Sequence, residues 1–320
     1  MDPPNYTAHF IFQSVYSSIG IVLYLMQLWF ILSNSGKVYG TTYYYLRAVD
    51  IIVNLITIAN GFIMMKLTRI AGHEGLLVSF YDMIDATFAC RVFIMLSYLL
   101  AYYQYIIVFI ISVNRVVVLF QWKSSGNPFQ ISMFLFGLSS ISVPIVLTWE
   151  HLNVPGYVTF NKLTQRWDFI GEVTLKDSFM FLIYFMTVFS VLSLIINSVL
   201  LKFICCAAQF NKKKQVEIHL IVFTFIEAFV QCAGVAISFA RVFDGDQHLA
   251  DYAFYLPYVS DALSMHQAIL LFCFSVNLRR QILGAILCRK KNFVIEPAHY
   301  QANRARFLKV SVFFFAFCLF

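Results

Sequence analysis

Residues 93–113 contain no charged side chain, and at 1.5 Å per helical residue such a run is long enough to cross a hydrocarbon core of about 30 Å. A membrane helix is therefore expected here, closed by Asn114 and Arg115. Counting back from Arg115 in helical steps puts Ile111, Val108, Gln104, Ala101 and Ser97 on one face. This small and polar stripe on an otherwise apolar helix is expected to face other helices.

Composition extends the same reading to the whole chain. Hydrophobic residues make up 60% and charged residues 12%, with a mean hydropathy of +0.75, whereas a soluble domain carries roughly 25% charge. Predominantly apolar runs recur at 10–32, 43–65, 129–149, 177–204, 217–242 and 252–276. The expectation is an all-α membrane protein, a seven-transmembrane helix bundle with a short leader (1–9), a helical body (10–278) and a tail (279–320). Between the spans, 66–85 and 150–176 read as polar loops. The apolar end of the tail, 310–320, is too short to span. It is expected to be translated intron sequence, with a shallow interfacial anchor as the alternative.

The net charge of +7 is explained by location. With the N-terminus outside, the inner side receives Lys37, Arg47, Arg115, Lys123, Lys202, Lys212, Lys213, Lys214 and the basic tail, while the outer side keeps few cations, Lys66 and Arg69 among them, set amid acidic residues. This asymmetry is the positive-inside pattern. The sequon at Asn5 falls on the outer side and is a candidate glycosylation site. No nucleic-acid partner is implied. Cys205, Cys206 and Cys288 stand beside basic residues at inner span ends, the setting for palmitoylation as well as for plain thiols in an apolar border. No serine motif, aspartate pair or zinc spacing appears, so no enzyme, metal or cofactor is expected.

The run Tyr103-Gln104 through Ser112-Val113-Asn114-Arg115, and the close Leu256-Pro257 through Ser260-Asp261-Ala262-Leu263-Ser264 to Asn277-Leu278-Arg279, resemble the nematode serpentine chemoreceptors, best the superfamily of serpentine receptor class gamma. The resemblance covers about residues 10–290. It implies a G-protein-coupled chemoreceptor in the plasma membrane of a sensory neuron, with a small-molecule ligand and a heterotrimeric G protein as partners and lipid around it. The chain departs from the rhodopsin-like receptors in having Asn114-Arg115-Val116 at the inner end of span three, and loop 150–176 has no cysteine to pair with Cys90.

Candidate sites follow from depth. The outer thirds of spans three, five, six and seven offer Ser97, Tyr98, Tyr102, Gln231, Tyr255, Tyr258 and Asp261 as ligand contacts. Asn114, Arg115, Lys212, Lys213 and Lys214 converge on the inner face as G-protein contacts, although Arg115 also suits a snorkelling arginine at the membrane edge. Asp50, Glu227 and His266 lie at one depth and form a candidate buried polar switch. Glu227 and His266 are expected to pair, leaving Asp261 free for ligand; protonated carboxyls bonded locally are the alternative. Rival functions are a seven-helix ligand-gated channel subunit, distinguished by its N-terminus inside, and a small-solute transporter, for which no repeated broken helices appear.

Overall fold

The computed structural model describes residues 6–33, 42–71, 77–119, 142–161, 166–171, 175–207, 213–243 and 249–286. Helix α1 (Tyr6–Ser33) is followed by α2 (Thr42–Gly61), a π-helical segment (Phe62–Leu67), α3 (Thr68–Ile70), α4 (Val78–Ile84) and the long α5 (Phe88–Leu119). After α6 (142–148) come α7 (Glu150–Asn153), strands β1 (Gly156–Asn161) and β2 (Arg166–Gly171), then α8 (Leu175–Ala207), α9 (Lys213–Phe243), α10 (Leu249–Phe274) and α11 (Val276–Ile286). Among the described residues five stretches are long and apolar enough to cross a membrane: Thr7–Ser33, Tyr43–Ile70, Phe88–Val117, Ser178–Phe203 and Ile221–Ala240.

The pattern on α1 is that of a helix solvated by lipid. Ile11, Val15, Ile19, Val22, Leu25, Trp29 and Leu32 face outward, while Gln13, Ser17, Gly20, Tyr24, Gln27 and Ile31 are buried at alternating steps of four and three. Polar groups turn inward because the hydrocarbon offers them no partner. Here they bond to α10: the Tyr24 hydroxyl donates to the Ser264 carbonyl, and Gln27 Nε2 donates to the Ala268 carbonyl at 2.7 Å. A Cβ at Gly20 would overlap the Met265 side chain, so the missing side chain lets the two helices close up.

Helix α1 packs against α2 and α10, α2 against α5, α5 against α8, α8 against α9, and α9 against α10. Helix α5 also touches α7, α9 and the hairpin, so it stands among its neighbours as the stripe requires. Gln104, Val108, Ile111 and Arg115 are buried, and Ser97 and Ala101 half-buried.

Two expectations are corrected. The chain is not all-α, because residues within the expected loop 150–176 form an antiparallel hairpin pairing Gly156 with Gly171 through Asn161 with Arg166. The hairpin is fastened to α5 and α4. Trp167 stacks on Tyr81 with centroids 5.7 Å apart, Asp85 Oδ1 accepts from the Val158 amide at 2.6 Å, and a Cβ at Gly156 would come within 3.0 Å of Ile94. The second correction concerns 66–85. The helix runs on past Met65 through the π-helical segment to Ile70, and it buries Lys66 instead of exposing it in a loop. Packed helix continues past residue 278, where α11 places Leu278 and Ile282 in one cluster with Tyr24 and Ile31. Residues 1–5, 120–141 and 287–320, and with them Asn5, Cys288 and the apolar end of the tail, lie outside the described residues.

Candidate functional site

Arg47, Asp50 and Asn54 share one face of α2 at i, i+3 and i+7 spacing, and all three are buried. Arg47 Nη1 donates to Asp50 at 3.0 Å and to Glu227 Oε1 at 2.6 Å, while its Nη2 donates to Glu227 Oε2. The guanidinium thus joins α2 to α9 by a forked pair, the geometry that best repays the desolvation of both partners. Phe223 presents its ring 4.3 Å from Arg47 Cζ and Tyr43 its ring at 5.3 Å.

Hydrogen bonds carry this network upward. Asn54 donates to Asp50 at 3.2 Å, and the Gln267 amide donates to Asp50 Oδ2 at 2.7 Å in the orientation that satisfies both its ends. Gln104 Nε2 donates to Asn54 Oδ1 at 2.7 Å and to Ser264 Oγ at 3.1 Å, and Gln231 Nε2 donates to the Gln104 carbonyl at 3.1 Å. Four helices, α2, α5, α9 and α10, therefore meet in one polar core. A smaller knot lies nearer the Arg115 end of α5, where Asn197 of α8 donates to Ser112 at 2.8 Å and accepts from Thr224 of α9 at 2.9 Å.

A second ion pair closes the seam between α1, the π-helical segment and α10. Lys66 Nζ lies 2.8 Å from Asp261 and donates to Ser17 Oγ at 2.8 Å, and the Tyr16 hydroxyl donates to Asp261. At the N-terminal end of the same seam His9 Nδ1 and the Tyr258 hydroxyl are 2.6 Å apart.

Two pairings expected from depth are therefore replaced. Glu227 meets Arg47 and not His266, whose Nδ1 lies 2.7 Å from the Ala262 carbonyl of its own helix. Asp261 is not free for ligand but bound to Lys66 and Tyr16. Asp50 and Glu227, expected at one depth, both bond to the Arg47 guanidinium. Arg115 is buried with its Cζ 3.6 Å from the Tyr43 centroid, so in this conformation it covers an aromatic ring. Asn114 is buried beside it in sequence. Lys212, and the side chains of Lys213, Lys214, Cys205 and Cys206, lie outside the described residues.

The expected ligand contacts separate into groups. Ser97 Oγ accepts from Asn60 at 2.8 Å, Gln231 belongs to the polar core, Tyr258 and Asp261 belong to the α1–α10 seam, and Tyr255 is 58% exposed. Tyr98 and Tyr102 remain together, and they line a cavity of about 340 Å³. Its other walls are Leu147 and Thr148 of α6, His151 of α7, and Ser178 and Phe181 of α8. His151 stacks on Tyr98 with centroids 4.6 Å apart and planes 14° apart. Burial holds its imidazole below the ordinary histidine range, against an opposing pull from Glu150. Thr148 spends its proton on the Pro144 carbonyl at 2.8 Å.

Arg47 and Lys66, which hold the two buried ion pairs, and His151 of the cavity wall were not among the candidate site residues expected from sequence. The i, i+3, i+7 spacing of Arg47, Asp50 and Asn54 was the available signal for the first. Nothing local marks His151, which reaches the cavity only because α7 turns back over α5.

The family model described as Srg family chemoreceptor matches residues 10–282. Serpentine receptor class gamma-31 of Caenorhabditis elegans is 22% identical over 288 residues, covering 84% of this chain and 89% of that protein. A match of that extent takes in the apolar helices, the Arg47 core and the cavity alike. The chain belongs to the Srg family of chemoreceptors.

Proposed function

We propose that this chemoreceptor is a seven-span receptor with its N-terminus outside and its C-terminus in the cytoplasm, coupling a small organic ligand to a heterotrimeric G protein at the plasma membrane of a sensory neuron. The observation that carries this reading lies on α5. Tyr102 lines the cavity, and Gln104, two residues on, holds Asn54, Ser264 and the Gln231 side chain to the polar core. A ligand that moves the Tyr102 turn of α5 disturbs Gln104, and through Asn54 and Asp50 it reaches the Arg47–Glu227 pair. Packed cores switch between discrete arrangements, so such a chain of contacts can bias two states.

In this reading the remaining two spans are 129–149 and α10, whose Asp261 is tolerated because it is paired. Asn114, Arg115 and Lys212 to Lys214 form the coupling face, with Arg115 leaving Tyr43 on activation. Asn5 carries the glycan, and Cys205, Cys206 and Cys288 take the acyl chains. The topology is tested by attaching a glycosylation tag at each terminus and mutating Asn5. Modification of the N-terminal tag alone is expected, whereas modification of the C-terminal tag alone would overturn the orientation and favour the channel architecture.

A further inference from the structure

The three buried carboxylates among the described residues, Asp50, Glu227 and Asp261, are matched internally, the first two by Arg47 and the third by Lys66. Among the described residues no Asp, Glu, Lys or Arg lines the cavity. An ion entering it would lose its hydration without meeting a counterion in the wall, a penalty that a neutral molecule escapes.

Two polar groups of that wall have no hydrogen bond among the described residues. Tyr102 is 3% exposed and His151 5% exposed, and among the described residues no hydrogen bond reaches the Tyr102 hydroxyl or either ring nitrogen of His151. Their polar atoms are not sealed in protein but open to the cavity, so a guest placed there can satisfy both. Leu147 and Phe181 supply the apolar part of the wall.

We propose that the cavity binds an uncharged organic molecule whose carbonyl or hydroxyl group is held by Tyr102 and His151 and whose apolar body packs against Leu147 and Phe181. Discrimination follows from the unpaired groups: a hydrocarbon lacking the polar group leaves Tyr102 and His151 unsatisfied, and an ionised analogue leaves its own charge unsatisfied. The proposal deepens the receptor reading and rests on it only for the consequence of occupancy.

The test uses the full chain in lipid nanodiscs and ligand-observed NMR, with empty discs as the baseline for partition into lipid. The probes are benzyl alcohol, benzoate and benzylammonium, with 2-phenylethanol, phenylacetate and 2-phenylethylammonium as a second matched set. The alcohols are expected to bind at least about 10-fold more tightly than either ionised partner. Tyr102→Phe and His151→Phe each keep a ring in place and are expected to weaken the alcohols about 10-fold, the worth of one hydrogen bond. Leu147→Trp fills the void and is expected to abolish binding. Equal or tighter binding of an ionised probe, alcohol binding indifferent to all three variants, or no binding above empty discs each overturns the proposal. Should one variant fail to reach the membrane, the other two carry the same comparison. Alcohol binding lost in the variants but without any G-protein response contradicts the receptor reading and leaves the cavity chemistry standing. A G-protein response that the three variants do not alter does the reverse.

Discussion

Arg47→Leu is expected to cost about 3–5 kcal/mol of stability, the loss found when one partner of a buried ion pair is removed and the other charge is stranded. Here two carboxylates are stranded together, since Asp50 and Glu227 both rest on the same guanidinium and are completely enclosed. The thermal midpoint of the purified receptor, followed by intrinsic fluorescence, measures the effect. The triple variant Arg47→Leu, Asp50→Asn, Glu227→Gln removes every charge of the cluster at once and is expected to recover most of the loss, because neutral amides can still bond to Asn54 and Gln267. A single variant as stable as the parent would mean that the carboxylates are not held by Arg47.

Lys66→Met is expected to have an effect of similar size at the other end of the bundle, about 3–5 kcal/mol, by leaving Asp261 with the Tyr16 hydroxyl alone. Asp261→Asn strands the ammonium instead, with Ser17 as its remaining acceptor. The double variant should be far less damaged than the sum of the two, with a coupling energy of about 2 kcal/mol or more. Because this pair ties α1 and the π-helical segment to α10, breaking it is also expected to raise basal second-messenger output. Additive losses in the cycle would show that Lys66 and Asp261 act independently.

The face of α5 was legible from sequence, since helical periodicity in a charge-free run sorts small and polar residues to one side whatever their partners are. Asp50 and Glu227 were legible as interior groups for a similar reason: lipid excludes carboxylates. Their cation was not. Arg47 stands near the N-terminal boundary of an apolar run, where the positive-inside rule assigns any arginine to the surface, and that rule counts charges without asking which way a helix turns them. Lys66 was misplaced because the apolar run stops at Met65 while the helix continues. The π-helical segment then shifts the phase of residues 62–67 and brings Lys66 to face Ser17 and Asp261. In the hairpin, Tyr157-Val158-Thr159-Phe160 and Trp167-Asp168-Phe169-Ile170 carry aromatic and β-branched residues. That signal was present, and the polarity of the surrounding loop masked it. The cavity was only half legible. Tyr98 and Tyr102 follow from the period of α5, whereas the walls from α6, α7 and α8 are set by tertiary packing that no single helix encodes.

The most direct measurement of the central claim is a paired recording of second messenger and membrane current in cells that express the chain, with and without a promiscuous Gα subunit, across a panel of volatile and soluble neutral molecules. The account predicts a messenger rise that requires the Gα subunit, that is lost in Arg115→Ala at unchanged surface expression, and that is accompanied by no current in the cells lacking Gα. A ligand-evoked current in the absence of Gα, with no messenger rise in its presence, would contradict it.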